Sequence, residues 1–192
     1  MTVRIDGKSL TVEDVIHVCR DYERVEITED AKITVNRSRD YVREKLENDA
    51  VIYGLTTGFG RFANVKISFE DTAQLQKNLI MSHTCSMGNP YPKHYVRAAM
   101  LLRCNNLTRG FSGIRLSTIQ TMIDMLNADI IPIVPEKGSV GSSGDLAPLS
   151  CIALGLIGMG MVEYKGKVVE AKEAFAAEGL TPVELAAKEG LA

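Results

Sequence analysis

The sequence predicts a mainly α-helical domain with small β-hairpins and long irregular loops. Three observations lead there. Apolar residues recur at helical spacing in several capped segments, short strand-like runs flank Asp-Gly and Lys-Gly turns, and two glycine-rich stretches carry no period at all. A chain of 192 residues is long enough to bury a substantial core.

Taken in order, Val3-Arg4-Ile5 and Ser9-Leu10 flank Asp6-Gly7-Lys8, the pattern of a small hairpin. Thr11 then caps a helix with Val12, Val15, Ile16 and Cys19 on its apolar side. Thr28 opens a second helix over 29–47, with Ile33, Val42 and Leu46 inward and its charges outward. Residues 48–67 hold three glycines and the pair Thr56-Thr57 without helical spacing, so they read as a long loop, a setting that more often carries function than decoration. Ser68 to Asp71 has the form of a capping box and opens a helix reaching about His83. After Pro90-Tyr91-Pro92 comes a helix with Val96, Met100 and Leu101 on one side, ending within 105–110. Ser112 caps a fourth long helix through Ile114, Ile119, Met122, Ile123 and Leu126. Prolines 132 and 135 keep the next run extended. An apolar helix over 145–158, a hairpin over 162–169 and two short amphipathic helices complete the chain.

Composition removes several classes of function. The net charge is −2 and charged residues make up 24% of the chain, which leaves no polybasic nucleic-acid surface and no acidic tail. Cys19, Cys85, Cys104 and Cys151 are widely spaced in apolar helical surroundings, so they read as reduced core thiols in a cytoplasmic protein rather than disulfides or metal ligands. Residues 1–6 contain no apolar signal region. The apolar run 146–162 is short for a membrane span and is interrupted by Pro148, Ser150 and three glycines, so a buried helix is expected and no membrane partner. The last residues, 184–192, stop as a chain cut within a longer one would.

The most unusual stretch is Gly138-Ser139-Val140-Gly141-Ser142-Ser143-Gly144-Asp145-Leu146-Ala147-Pro148-Leu149, three glycines and three serines set inside the most hydrophobic part of the sequence. A tight buried turn is its plain reading. Phosphate binding needs a P-loop lysine or a βαβ context, both missing here, and Asp145 would repel an anion at the helix start. A hydrolase serine needs a G-x-S-x-G elbow and a base; His17 and His94 read as solvated surface residues, and His83 as either a satisfied core histidine or a substrate-site one. No His, Cys or Asp cluster has metal-ligand spacing. Another chemistry suits a serine followed by glycine. Attack of the Gly144 nitrogen on the Ser142 carbonyl closes a five-membered ring over Ser143, and loss of two waters leaves an exocyclic methylidene, a strong electrophile. Glycine leaves the attacking nitrogen unhindered and tolerates the compressed geometry.

The 138–149 stretch resembles the signature of the aromatic amino acid ammonia-lyases and aminomutases, which build a methylidene-imidazolone from Ala-Ser-Gly. Tyr53-Gly54-Leu55-Thr56-Thr57-Gly58-Phe59-Gly60 is similar to the family's tyrosine loop, and Leu79-Ile80-Met81-Ser82-His83 to its substrate-selecting helix. Arg103-Cys104-Asn105-Asn106-Leu107 and Gly110-Phe111-Ser112-Gly113-Ile114-Arg115 match as well, so the likeness runs over essentially all of 1–192. The resemblance implies that 1–192 is the N-terminal, prosthetic-group-bearing domain of the ammonia-lyase fold. It implies that Ser143 becomes the dehydroalanine, that Ser142 and Gly144 close the ring, and that Tyr53 is the base removing the substrate's β-proton. The Ser82-His83 pair resembles the histidine-specific members, whereas tyrosine-specific ones carry His-Leu there and phenylalanine-specific ones Phe-Leu. The expected reaction is therefore elimination of ammonia from L-histidine to give trans-urocanate, with His83 binding substrate and no metal or nucleotide. Tyrosine or phenylalanine lyases or aminomutases, and a catalytically silent structural fragment, are the rival readings. Ser142 departs from the family's alanine, which places a hydroxymethyl group on the ring. Family members continue into long helices that build a homotetramer and complete the pocket.

Overall fold

The computed structural model describes residues 2–48, 57, 69–139, 146–186 and 189. Among these, seven helices and seven short strands alternate, with the helices dominant. Strand β1 (Thr2–Ile5) leads through helix α1 (Val12–Arg20) to β2 (Arg24–Ile27), and helix α2 (Glu29–Glu47) follows. Helix α3 (Phe69–His83), strand β3 (Met87–Pro90) and helix α4 (Lys93–Leu107) come next. Helix α5 (Leu116–Asn127), strands β4 (Ile131–Pro132) and β5 (Pro135–Lys137), and helix α6 (Leu146–Leu156) then lead to the hairpin of β6 (Met161–Tyr164) and β7 (Lys167–Glu170) and to α7 (Ala171–Ala177).

The expected N-terminal hairpin is not there. β1 pairs in parallel with β2, Val3 opposite Val25 and Ile5 opposite Ile27, so the unit is β-α-β. The cause is local. The Asp6 carboxylate accepts the backbone N–H groups of Lys8 and Ser9 at 2.8 Å, and Gly7 takes φ +82, which turns the chain into α1 instead of back along β1. Thr11 caps α1 as expected, in a full capping box with Asp14. Its inward face differs: Val18 and Cys19 are buried while Val12 is 71% exposed and Ile16 also lies outside. On α2, Thr28 is the N-cap, but Ala31 and Val35 face inward and Ile33 is 66% exposed. The working face of α2 is 31-35-38-42, because Ser38 and Val42 meet Gly113, whose amide donates to the Ser38 Oγ at 3.1 Å.

Helices α4 and α5 form the centre, burying Met100, Leu101 and Cys104 against Ile119, Met122, Ile123 and Leu126. Arg97 is buried among them. Its guanidinium donates to the carbonyl of Val18 at 2.8 Å, to that of Leu126 at 3.1 Å and to the Asp129 carboxylate at 2.9 Å, so it satisfies the C-terminal carbonyls of two helices at once. Asn127 binds both the N–H and the C=O of Val25, which extends the β1–β2 ladder onto the end of α5.

Two further expectations fail. Ser112 does not cap α5, which starts at Leu116. Glu189, far along the chain, accepts the Arg115 backbone N–H at 2.9 Å and the Thr118 hydroxyl at 3.0 Å, and so supplies the anionic cap instead. Among the described residues one helix follows the hairpin rather than two, since residues 180–186 are irregular. Pro182 packs on Gly158 and the Val183 amide donates to the Leu156 carbonyl at 3.0 Å, which draws this segment along the end of α6. The β6–β7 hairpin itself is as expected, with Lys165 and Gly166 both at positive φ in its two-residue turn.

Candidate active site

Of the five residues singled out above, His83 is described, and Tyr53, Ser142, Ser143 and Gly144 lie outside the described residues. What the structure describes is the frame that receives the 138–149 stretch at both of its ends.

The frame begins with α3. Its last turn carries Leu79, Ser82 and the half-buried His83, and the chain then bends into β3. β3 pairs antiparallel with β5, Met87 opposite Lys137 and Pro90 opposite Pro135. β5 ends immediately before Gly138. The pairing therefore sets the entrance of the glycine-serine stretch beside the segment that leaves His83. Contact there is tight: a β-carbon on Gly138 would stand 2.2 Å from the Ser86 Oγ, so only glycine fits.

The exit of the stretch returns to the same place. α6 starts at Leu146 and packs against α3. The Cys151 thiol lies 3.8 Å from the Ser86 hydroxyl, while Ala73, Gln74 and Lys77 line a cavity with Ile157 and Met159, so the two helices run antiparallel. His83 and both ends of the stretch are thus gathered at one end of the α3–α6 pair. Ser139, Pro148 and Leu149, which bracket residues 140–145, also line an apolar cavity of about 350 Å³ with Tyr91, Tyr95 and Ile152.

At His83 the imidazole Nδ1 is 2.9 Å from the Leu79 carbonyl oxygen and 3.0 Å from the Ser82 Oγ. The Ser82 hydroxyl itself donates to the Leu79 carbonyl at 2.9 Å. Ser86 is a residue that the sequence did not single out, and Ser82 was read there only as part of its pair with His83. The other matched motif is structural here. Asn105 accepts the Gly7 amide at 2.9 Å, and Gly110 and Gly113 sit where β-carbons would strike Thr34 and Val42 of α2.

Neither His17 nor His94 lines the cavities of this frame. His17 pairs with Asp21 at 2.9 Å, and His94 is half-buried with its ring 4.4 Å from that of Tyr95, less solvated than expected. The thiols of Cys19, Cys104 and Cys151 are free and buried, and burial pushes Cys104 up to about 12. Cys85 is free but exposed, contrary to the expected core position, because it falls in the bend after α3 rather than within a helix. Among the described residues no group of three or more His, Cys, Asp or Glu is arranged to hold a metal, and no helix is long and apolar enough to cross a membrane.

The residues present fit a prosthetic group made from Ser142-Ser143-Gly144. The donor set contains the hydroxyl that must be lost and an unhindered glycine nitrogen. The frame around it packs the Ser86 side chain tightly on Gly138, and Ser150, the residue after the stretch, keeps a fully buried hydroxyl without a hydrogen-bond partner among the described residues.

The family described as aromatic amino acid lyase matches residues 10–192. Histidine ammonia-lyase of Alkaliphilus oremlandii is 52% identical over 190 residues, covering 99% of this chain and 38% of that protein. Among solved structures, histidine ammonia-lyase from Trypanosoma cruzi superposes with a TM-score of 0.92 at 35% identity, over 100% of this chain and 37% of its own. The phenylalanine aminomutase of Pantoea agglomerans gives a TM-score of 0.92 at 34% identity, over 100% of this chain and 36% of its own. The chain spans less than two-fifths of the length of these relatives and corresponds to their N-terminal part. With 183 of its residues inside the family match and its fold shared across the superposed structures, the chain belongs to the aromatic amino acid lyase family.

Proposed function

We propose that this chain is the electrophile-bearing part of an enzyme that eliminates ammonia from L-histidine to give trans-urocanate. The observation that carries the proposal is the convergence of Ser82-His83 and both ends of the 138–149 stretch at one end of the α3–α6 pair. The fold alone does not separate substrates, since an aminomutase and a histidine lyase superpose equally well. Ser82-His83 and the 52% identity to a histidine ammonia-lyase favour histidine.

In this reading the methylidene-imidazolone formed from Ser142-Ser143-Gly144 supplies an electrophile that prepares the substrate's amine to leave. Tyr53 takes the β-proton. A free tyrosine holds its proton up to a pKa of about 10, so this role requires donors or positive charge that favour the phenolate. His83 engages the substrate side chain through the ring nitrogen it leaves free. A longer polypeptide supplies the remainder of the pocket and the homotetramer, in the cytoplasm.

The test is a substrate panel on this chain carried within a polypeptide of the relatives' length, followed by absorbance of the unsaturated acid. Turnover of histidine with urocanate as product is the expected result. Turnover of tyrosine or phenylalanine in its place, or release of a β-amino acid, would replace this reading with one of its rivals.

A further inference from the structure

Ser86 stands between an exposed thiol and a buried one. Cys85 lies in the bend 84–86 between α3 and β3, where it is exposed and free. Cys151 is free and 6% exposed on α6, with its Sγ 3.8 Å from the Ser86 Oγ. Cys85 comes one peptide step, about 3.8 Å, before Ser86 in the chain. Burial pushes the Cys151 thiol up and charge on Cys85 adds to that, so the two sulfurs are within electrostatic reach. A disulfide needs α-carbons within about 7 Å of each other. A shift of the bend by roughly one residue step, exchanging Ser86 for Cys85 opposite Cys151, supplies that distance. The bend is built to allow it. It belongs to no helix or strand, and the backbone N–H groups of Thr84 and Cys85 donate to Ile80 and His83, within their own turn. Its tie to α6 and to the end of β5 is the Ser86 side chain, seated between Cys151 and Gly138.

We propose that Cys85 and Cys151 form a thiol modification site, in which Cys85 takes up a small disulfide such as glutathione disulfide and Cys151 resolves the adduct into an intrachain disulfide that lifts Ser86 off Gly138. In the first step the Cys85 thiolate attacks one sulfur of glutathione disulfide. A mixed disulfide forms, the glutathione S–S bond breaks, and one glutathione leaves as thiolate and takes a proton from water. In the second step Cys151 gives its proton to water and its sulfur attacks that of Cys85. The mixed disulfide breaks and the second glutathione leaves in the same way. Two protein thiols are oxidised and one glutathione disulfide is reduced to two thiols. Exposure assigns the roles, since reagent reaches Cys85 directly whereas the buried, less acidic Cys151 acts only as the bend shifts. The bridge has a structural consequence. β3 begins at Met87, directly after Ser86, and pairs with β5, so moving the bend pulls on the strand that enters the glycine-serine stretch. None of this depends on the reaction proposed above.

The test is a time course of the 192-residue chain with glutathione disulfide at mildly alkaline pH, read by intact mass and non-reducing peptide mapping. A glutathione adduct on Cys85 is expected first, then a chain two hydrogens lighter than the reduced one, with the peptides holding Cys85 and Cys151 joined. Cys151→Ser should stop at the adduct, and Cys85→Ser should stay unmodified. Circular dichroism checks that each variant keeps its fold, and Cys151→Ala replaces Cys151→Ser where that one does not. The same course on Ser143→Ala keeps the released thiol from adding to the proposed electrophile, so the result stands whether or not that group forms. Hydrogen exchange reads the consequence: the amides of Glu136 and Lys137 should lose protection in the bridged chain and regain it on reduction with dithiothreitol. No reaction, a lasting adduct on Cys85 with Cys151 still free, or a bridge to Cys19 or Cys104 overturns the site. A Cys85–Cys151 bridge with unchanged protection at Glu136 and Lys137 overturns the displacement of Ser86.

Discussion

Gly138 lies so close to Ser86 that a β-carbon on it would stand 2.2 Å from the Ser86 Oγ and 2.9 Å from its Cβ. The contact joins the strand entering the glycine-serine stretch to the segment leaving His83, so it couples two parts of the candidate site that are 55 positions apart in sequence. Gly138→Ala should destabilise the chain by about 1–3 kcal/mol through overpacking. Ser86→Gly on top of it should recover about 1 kcal/mol, read by urea denaturation as a double-mutant cycle. Additive costs would show that the two residues do not meet.

Glu189 makes a pH prediction. Burial raises its pKa, but hydrogen bonds from the Arg115 side chain and from the backbone N–H groups of Arg115 and Ala186 outweigh it, so its carboxyl sits below the ordinary range. A carboxyl depressed in the folded state contributes its full stability above the unfolded pKa of about 4.3 and loses it as pH falls through the folded value. Wild-type stability should therefore drop as acid is added below about pH 4. Glu189→Gln should be less stable by about 2 kcal/mol at neutral pH and show a shallower acid slope. Parallel slopes for the two proteins, measured by urea unfolding across this window, would contradict the assignment.

The four thiols should separate by reactivity. Cys85 is exposed, whereas Cys19, Cys104 and Cys151 are buried and burial raises the pKa of each. Brief treatment of the native chain with an alkylating reagent should add one group, on Cys85, and denaturation should expose all four. Peptide mapping that found Cys151 labelled first would mean that the contact between α6 and Ser86 opens readily.

The proposed electrophile has a mass signature. Ring closure at Ser142-Ser143-Gly144 removes two waters, so an intact mass lower by that amount marks maturation. Ser143→Ala should return the unmodified mass and leave thermal unfolding within about 1 kcal/mol of wild type. In a polypeptide of the relatives' length, Tyr53→Phe should keep the dehydrated mass and lose at least about 100-fold in kcat, the scale of general-base removal. Retained turnover would take Tyr53 out of that role.

Some elements were legible because their signals are local. Thr11 and Thr28 lie within three residues of the amides they cap, and α2 begins and ends as the periodicity predicts. The extended run after Ile130 and the Lys165-Gly166 turn follow from proline and glycine chemistry alone. Inward faces were less legible. Val12 and Ile33 fit an apolar stripe by spacing, yet α1 and α2 turn other residues to the core because their partners approach from a different side.

By itself the sequence determined the helical class and most helix starts, and it supplied the Ser142-Ser143-Gly144 tripeptide proposed to form the electrophile and the Ser82-His83 pair that suggests its substrate. Tertiary structure alone decided the parallel β1–β2 pairing, the Glu189 carboxylate capping α5 from 74 residues away, and the gathering of His83 with the glycine-serine stretch through β3–β5 and α3–α6. The division has a physical reason. Caps, turns and helical stripes are set by hydrogen bonds and sterics within a few residues. Strand partners and long-range caps depend on which surfaces meet after collapse, and Gly138 against Ser86 is one such meeting that neither residue announces alone.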